Sequence, residues 1–209
     1  TLGAANIICT DKTGTLTEDQ MKAHTVLFET KSIENINKNN SDYFSEFKNL
    51  NEFENLIIVS VLCNDIVLDN KQKHGDAIDL ALIDFAESVG YSPIAIQNKY
   101  PEKMEIAFDT ERKMMATVNQ YKTIFKVCAK GAFETIVECC DTMMVDGEII
   151  PFNNKDLWFK KVDKLASQGL RVLAFAYKNL EKVPEYENFL HHLTFIGVIG
   201  FIDPPREDV

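Results

Sequence analysis

The run Asp11-Lys12-Thr13-Gly14-Thr15-Leu16-Thr17 places a carboxylate, a cation, three hydroxyls and a glycine in seven consecutive positions. It follows Asn6–Thr10, a short apolar run that reads as a buried strand feeding a polar loop. A carboxylate at the carboxyl end of a strand stands where open α/β sheets bind ligands. There it can attack a phosphoryl group and form an aspartyl phosphate. Lys12 adds positive charge, Gly14 lets the backbone approach closely, and the threonine hydroxyls can hydrogen-bond phosphate oxygens. A dianionic phosphate meeting an incoming triphosphate also requires a divalent cation, for which Mg2+ is the natural choice.

These seven residues resemble, without a mismatch, the phosphorylation signature of the P-type ATPases. The resemblance extends to the wider haloacid dehalogenase superfamily. Phosphatases there carry a second Asp two residues after the nucleophile, as general acid and then as activator of water. Here that position is Thr13, which does not titrate near neutral pH. Without the acid/base group the aspartyl phosphate hydrolyses slowly, and a pump needs that persistence to change shape. The resemblance implies Asp11 as phosphate acceptor, Lys12 and Thr13 as its catalytic neighbours, and Mg2+ held by Asp11 and a main-chain oxygen at Thr13.

Further segments follow in the order expected for that family. Leu62-Cys63-Asn64-Asp65 precedes Gly75-Asp76-Ala77-Ile78-Asp79-Leu80-Ala81-Leu82, in which Ala77-Ile78 replaces the usual Pro-Thr and Asp79 the usual Glu. The family's acid contacts the adenine edge of ATP, and a shorter Asp reaches less far. Phe108 with Arg112-Lys113-Met114-Met115 resembles the Phe-x-x-x-x-Arg-Lys-x-Met stretch. The ring can stack on adenine and Lys113 can meet ribose or phosphate charge. Lys130-Gly131-Ala132-Phe133-Glu134 resembles Lys-Gly-Ala-Pro-Glu, with Phe133 at the usual Pro position. Lys130 would supply a cation in the pocket, and Gly131 close approach to the purine. In the strand Gly169–Ala176, Arg171 would bind phosphate oxygens through its guanidinium. Asp203-Pro204-Pro205-Arg206 resembles the run that returns the chain to the phosphorylation domain, with Asp203 near the nucleotide. Read without the family, the same residues are solvated acids, a core Phe and strand-edge charges.

The elements that must position these groups read as follows. Strands are expected at Met21–Glu29, Lys103–Phe108, Lys113–Asn119, Thr123–Cys128, Leu170–Tyr177 and Leu193–Ile202. The tight links Asp109–Arg112 and Gln120–Lys122 make the middle three an antiparallel meander. Helices are expected at Glu52–Cys63, Asp76–Val89, Ala132–Cys140 and Lys155–Ser167, with Gly90 and Gly169 closing the second and fourth. Asp146-Gly147 is a hairpin turn signal. Ser32–Ser41 reads as a surface loop and Asp69–His74 as a polar connection. The fold class is therefore α+β, an antiparallel sheet flanked by helices, with short remnants of an α/β phosphorylation domain. Residues 1–17 would be the edge of that domain, 18–200 an inserted nucleotide-binding domain, and 201–209 the hinge and return.

The bulk composition agrees with this assignment. The 209 residues are 45% hydrophobic with a net charge of -10 and a pI near 4.9. That balance argues against a sequence-blind nucleic-acid binder, which needs clustered Lys and Arg. The longest apolar stretches, Leu56–Cys63 and Phe195–Ile202, fall short of the roughly 20 residues that span a bilayer. No leader opens the chain, and both ends look cut from something longer. Five cysteines without a C-x-x-C spacing read as reduced thiols in a cytosolic compartment. Calcium, sodium and proton pumps fit the motif set better than heavy-metal pumps, whose His-Pro pair is missing; calcium is the expected cargo. The implied partners are ATP and the remaining phosphorylation domain, actuator domain and transmembrane helices of the same polypeptide. The rival expectations are a haloacid dehalogenase-like phosphatase with a large cap and a non-catalytic nucleotide-binding module.

Overall fold

The computed structural model describes residues 17–18, 20–36, 44, 47–69, 72–185 and 187–204. Nine strands of this set form one sheet. Its spine runs β2 (Ser32–Ile33), β1 (Lys22–Leu27), β11 (Leu193–Ile202), β10 (Arg171–Leu180), β7 (Ile124–Gly131), β6 (Met114–Tyr121) and β5 (Glu102–Asp109). The β5–β6–β7 meander is antiparallel, as its tight links require. β11 sits in the middle and is buried almost throughout. One side of it pairs with β10; the other is shared between β1 and β8 (Cys140–Val145). The β8 contact is the parallel one. β8 turns back into β9 (Glu148–Pro151) through Asp146 and Gly147, both at positive φ (49° and 86°), as a two-residue hairpin demands.

Alternation along the strands divides the core into two layers. Met115, Cys128, Phe175 and Tyr177 point to one face, where α1 (Asn51–Leu62), α2 (Ala77–Ser88) and α3 (Pro93–Lys99) cover them. Met114, Ala116, Val127, Ala129, Ala174 and Ala176 point to the other, beneath α4 (Phe133–Glu138) and α5 (Lys155–Ser167). The second layer holds Trp158, fully buried and edge-on to Phe195 at 4.7 Å. Phe133 also packs against Phe195, at 5.9 Å, so an aromatic at the helix start replaces proline's stiffness with core area. The α+β expectation therefore holds.

Three local expectations differ. The Ser32–Ser41 stretch begins with a strand, because Ile33 and Ile36 bury their side chains and Val26 pairs with Ile33. The Asp69–His74 connection contains half of a hairpin, β3 (Val67–Asp69) and β4 (Gln72–His74). α3 was not foreseen; Ser92 caps it by accepting from the Ala95 N–H at 3.3 Å, and Pro93 opens its first turn. Cys63, Cys128 and Cys140 are buried free thiols and Cys139 is half-buried. Burial pushes the Cys128 thiol up to about 12 and those of Cys63 and Cys140 higher still, so all three stay protonated. The expected strand at Asn6–Thr10 lies outside the described residues. No helix among the described residues is long and apolar enough to cross a membrane.

Candidate functional site

Register brings the site together. Met115 on β6 lies opposite Lys130 on β7, which in turn lies opposite Phe175 on β10. Two and four residues before Phe175, Leu173 and Arg171 share its face. α2 enters over these strands. Its N-cap Asp76 accepts from the Ile78 N–H at 2.9 Å, and its first turn carries Asp79 inward. Together these groups line a cavity of about 260 Å3, with Phe108 of β5 and Asp65 of the turn after α1. That is slightly below the roughly 300 Å3 at which small-molecule pockets begin, so a flat ring system fits and attached groups extend outside.

The cavity has distinct walls. Ile78, Met115 and Leu173 supply apolar surface. Phe108 is 54% exposed, an unusual amount for a large ring and one that leaves its face open to stacking. Arg171 stands exposed at the start of β10 with no ion-pair partner among the described residues, so its fork is available to an anion. Lys130 and Asp79 form an ion pair at the floor, both side chains under a tenth exposed. The second Asp79 oxygen accepts from the Asp65 N–H at 3.1 Å. A buried pair holds its charges only when the remaining lone pairs are satisfied in this way. Gly131 is required by its own backbone neighbours: a Cβ there would stand 2.5 Å from the Lys113 carbonyl oxygen. Below the floor, the Cys63 thiol donates to the Met115 carbonyl at 3.4 Å.

Residues 52–208 match the family model of the P-type ATPase cytoplasmic domain N. The chain belongs to the P-type ATPases. Calcium-transporting ATPase 1 of Bacillus cereus is 33% identical over 219 residues, covering 100% of this chain and 23% of that protein. Calcium-transporting ATPase type 2C member 1 of Mus musculus is 32% identical over 224 residues, again covering 100% and 23%. The sodium/potassium-transporting ATPase subunit alpha of Hydra vulgaris is 31% identical over 234 residues with the same coverage, 100% and 23%. The chain thus spans about a quarter of the length of these curated relatives.

Of the residues that P-type ATPase motifs single out, Asp79, Phe108, Lys130, Gly131 and Arg171 meet in the one cavity. Lys113 does not line it. It is exposed at the end of the β5–β6 turn, with φ 54°, and its carbonyl accepts from the Ala132 N–H at 2.9 Å. Asp203 also lies apart, accepting a 2.6 Å hydrogen bond from the Thr17 hydroxyl. Glu18 N–H donates to the Pro204 carbonyl at 3.0 Å beside it, so the segment before β1 and the segment after β11 lie side by side. Asp11, Lys12 and Thr13, and with them the expected Mg2+ ligands, lie outside the described residues. Among the described residues no group of three or more His, Cys, Asp or Glu converges to hold a metal. Sequence reasoning did not select Asp65, Asp76, Ile78, Met115 or Leu173. Each lies within two positions of a motif residue or inside a motif, and strand alternation selects Met115 and Leu173 once Lys130 is placed.

Proposed function

We propose that this chain is the ATP-binding portion of a cation pump that forms an aspartyl phosphate at Asp11. The observation that carries the reading is the convergence of Asp79, Phe108, Lys130, Gly131 and Arg171, from four separate stretches of sequence, on one cavity. Adenine enters between the apolar wall and the Phe108 ring. Arg171 meets the phosphates outside, with Lys113 nearby on the β5–β6 turn. The closely paired crossings at Thr17–Glu18 and Asp203–Pro204 act as a double hinge. Residues 18–200 swing on it as the inserted domain, between the phosphorylation-domain segments 1–17 and 201–209. That motion delivers the γ-phosphate to Asp11, and positioning supplies most of the catalysis; Mg2+, if held by Asp11 and the main-chain oxygen of Thr13, would neutralise phosphate charge there. In the parent, whose membrane helices lie elsewhere in the polypeptide, phosphorylation drives cation movement. Calcium is the proposed cargo, in keeping with the names of the Bacillus cereus and Mus musculus relatives.

Calorimetric titration with ATP tests the pocket. Phe108→Ala, at an exposed position, and Lys130→Ala are each expected to weaken binding about ten-fold, roughly 1.4 kcal/mol. Thermal melts of each variant check that it remains folded under the titration conditions. Unchanged affinity in both folded variants would remove the pocket assignment.

A further inference from the structure

We propose that a second cavity, of about 370 Å3, is a separate site for an organic diammonium ion of the class of short linear polyamines. It lies between the turn after α1, the end of α3 and the strands β5 and β6. Asp65, Glu102 and Glu105 bring carboxyl groups to it, Gln97 and Asn119 amides, and Tyr100 a phenol. None of the residues lining it is Lys, Arg or His. Lys99 is drawn aside, over the Tyr100 and Tyr121 rings at 5.5 and 5.2 Å. A β-bulge gathers the acids. Side chains alternate along a regular strand, so Glu102 and Glu105 belong on opposite faces of β5. The register slips between Glu102 and Met104, opposite Asn119 and Val118, and the extra residue turns Glu102 to the face of Glu105.

Two buried side chains in the same wall call for a guest. Tyr100 is only 9% exposed, yet its hydroxyl has no hydrogen-bond partner among the described residues. A buried hydroxyl in that state is costly until something completes it. Its ring is fixed by stacking on Tyr121 at 4.7 Å. Asn119, 1% exposed, donates its amide to the Thr117 hydroxyl at 2.8 Å and has its carbonyl oxygen to offer. Burial raises both glutamate carboxyls, and the neighbouring carboxylates raise them further, as like charges gathered without a cation do. Carboxylates, amide carbonyls and a phenol oxygen all accept hydrogen bonds, and an ammonium group brings three donors together with positive charge. Among the described residues no three acids converge to hold a metal, so the acceptors are spread over more than one point. A short chain with an ammonium at each end meets such a wall better than a single ion. Its methylenes can lie along Leu62 and Ile66.

Calorimetric titration of the full chain with 1,4-diaminobutane, at constant ionic strength and without nucleotide, tests the site. The wild type is expected to bind one equivalent saturably. Glu102→Gln/Glu105→Gln weakens binding about ten-fold or more, the scale of a hydrogen bond to a charged group. Tyr100→Phe, which keeps the ring and removes only the hydroxyl, weakens it about three-fold. Asp156→Asn/Asp163→Asn removes the same charge from two exposed acids of α5 and leaves the affinity unchanged. The proposal is overturned if the wild type shows no saturable binding, or if the β5 and Tyr100 variants bind as the wild type does. It is also overturned if the α5 variant loses as much affinity as the β5 variant, which is diffuse attraction to a chain of net charge -10. Displacement of the diamine by an equal concentration of Mg2+ would overturn it too. N-acetyl-lysine amide binding as tightly as the diamine would overturn the assignment to a free polyamine and give the cavity to a lysine side chain instead.

Discussion

The Lys130–Asp79 pair shows how one residue can serve stability and ligand shape together. Both side chains are withdrawn from water, and each is the other's ion-pair partner. Removing one leaves an uncompensated charge inside. Asp79→Ala is therefore expected to destabilise the domain by about 3–5 kcal/mol, measured by urea unfolding. Gly131 offers a second case. An added Cβ would stand 2.5 Å from the Lys113 carbonyl oxygen and 2.7 Å from the Met114 Cβ, both fixed by the β6–β7 ladder. Gly131→Ala is expected to cost about 1–3 kcal/mol in the same assay, as overpacking does. From sequence, Gly131 reads as room for a purine; in the fold Gly131 lines the cavity, and the place its Cβ would take is filled by Lys113 and Met114.

At the scale of elements, β5 has an unusual electrostatic setting. It is the edge strand of the sheet and directs Glu102 and Glu105 toward Asp65. Burial first, and neighbouring carboxylates next, raise the carboxyls of both glutamates. Their folded-state pKa values thus lie above the unfolded ones, and the native state holds more protons in the interval between. Their contribution to stability is full below the ordinary carboxylate range and fades as pH rises through the raised values. In urea unfolding from about pH 4 to pH 7, the Glu102→Gln/Glu105→Gln variant should gain stability relative to wild type as pH increases. A constant difference across that range would contradict this. The long elements were legible from sequence. α1, α2, α5 and the meander carry sustained periodicity and clear end signals. β2, β3, β4 and α3 were not, since two, three or seven residues hold too little periodicity to outweigh the Asn and Lys around them. Asp65 was hidden for another reason. It lies 14 residues before Asp79, and only the fold joins the turn after α1 to the start of α2.

For the molecule as a whole, the proposed function assigns the nucleotide to the cavity and the phosphate to Asp11, on either side of the point where the Thr17 hydroxyl meets Asp203. The later Thr-Gly-Asp and Gly-Asp-Gly-x-Asn-Asp runs that the family uses for phosphate and Mg2+ are not in this sequence. The purified chain is therefore expected to bind ATP without sustained release of phosphate. Steady hydrolysis that disappears in Asp11→Asn would refute that expectation. The joining point has a further consequence, in the time domain of synthesis. β1 takes its place against β11, with Lys22 opposite Ile202, and β2 in turn leans on β1. At roughly 5–20 residues per second, a ribosome needs on the order of ten to forty seconds to make the stretch between them. Throughout that interval Val26 and Ile33, fully enclosed in the finished fold, have no sheet to join. The nascent chain can assemble its meander early, but it closes its core only when its last strand emerges.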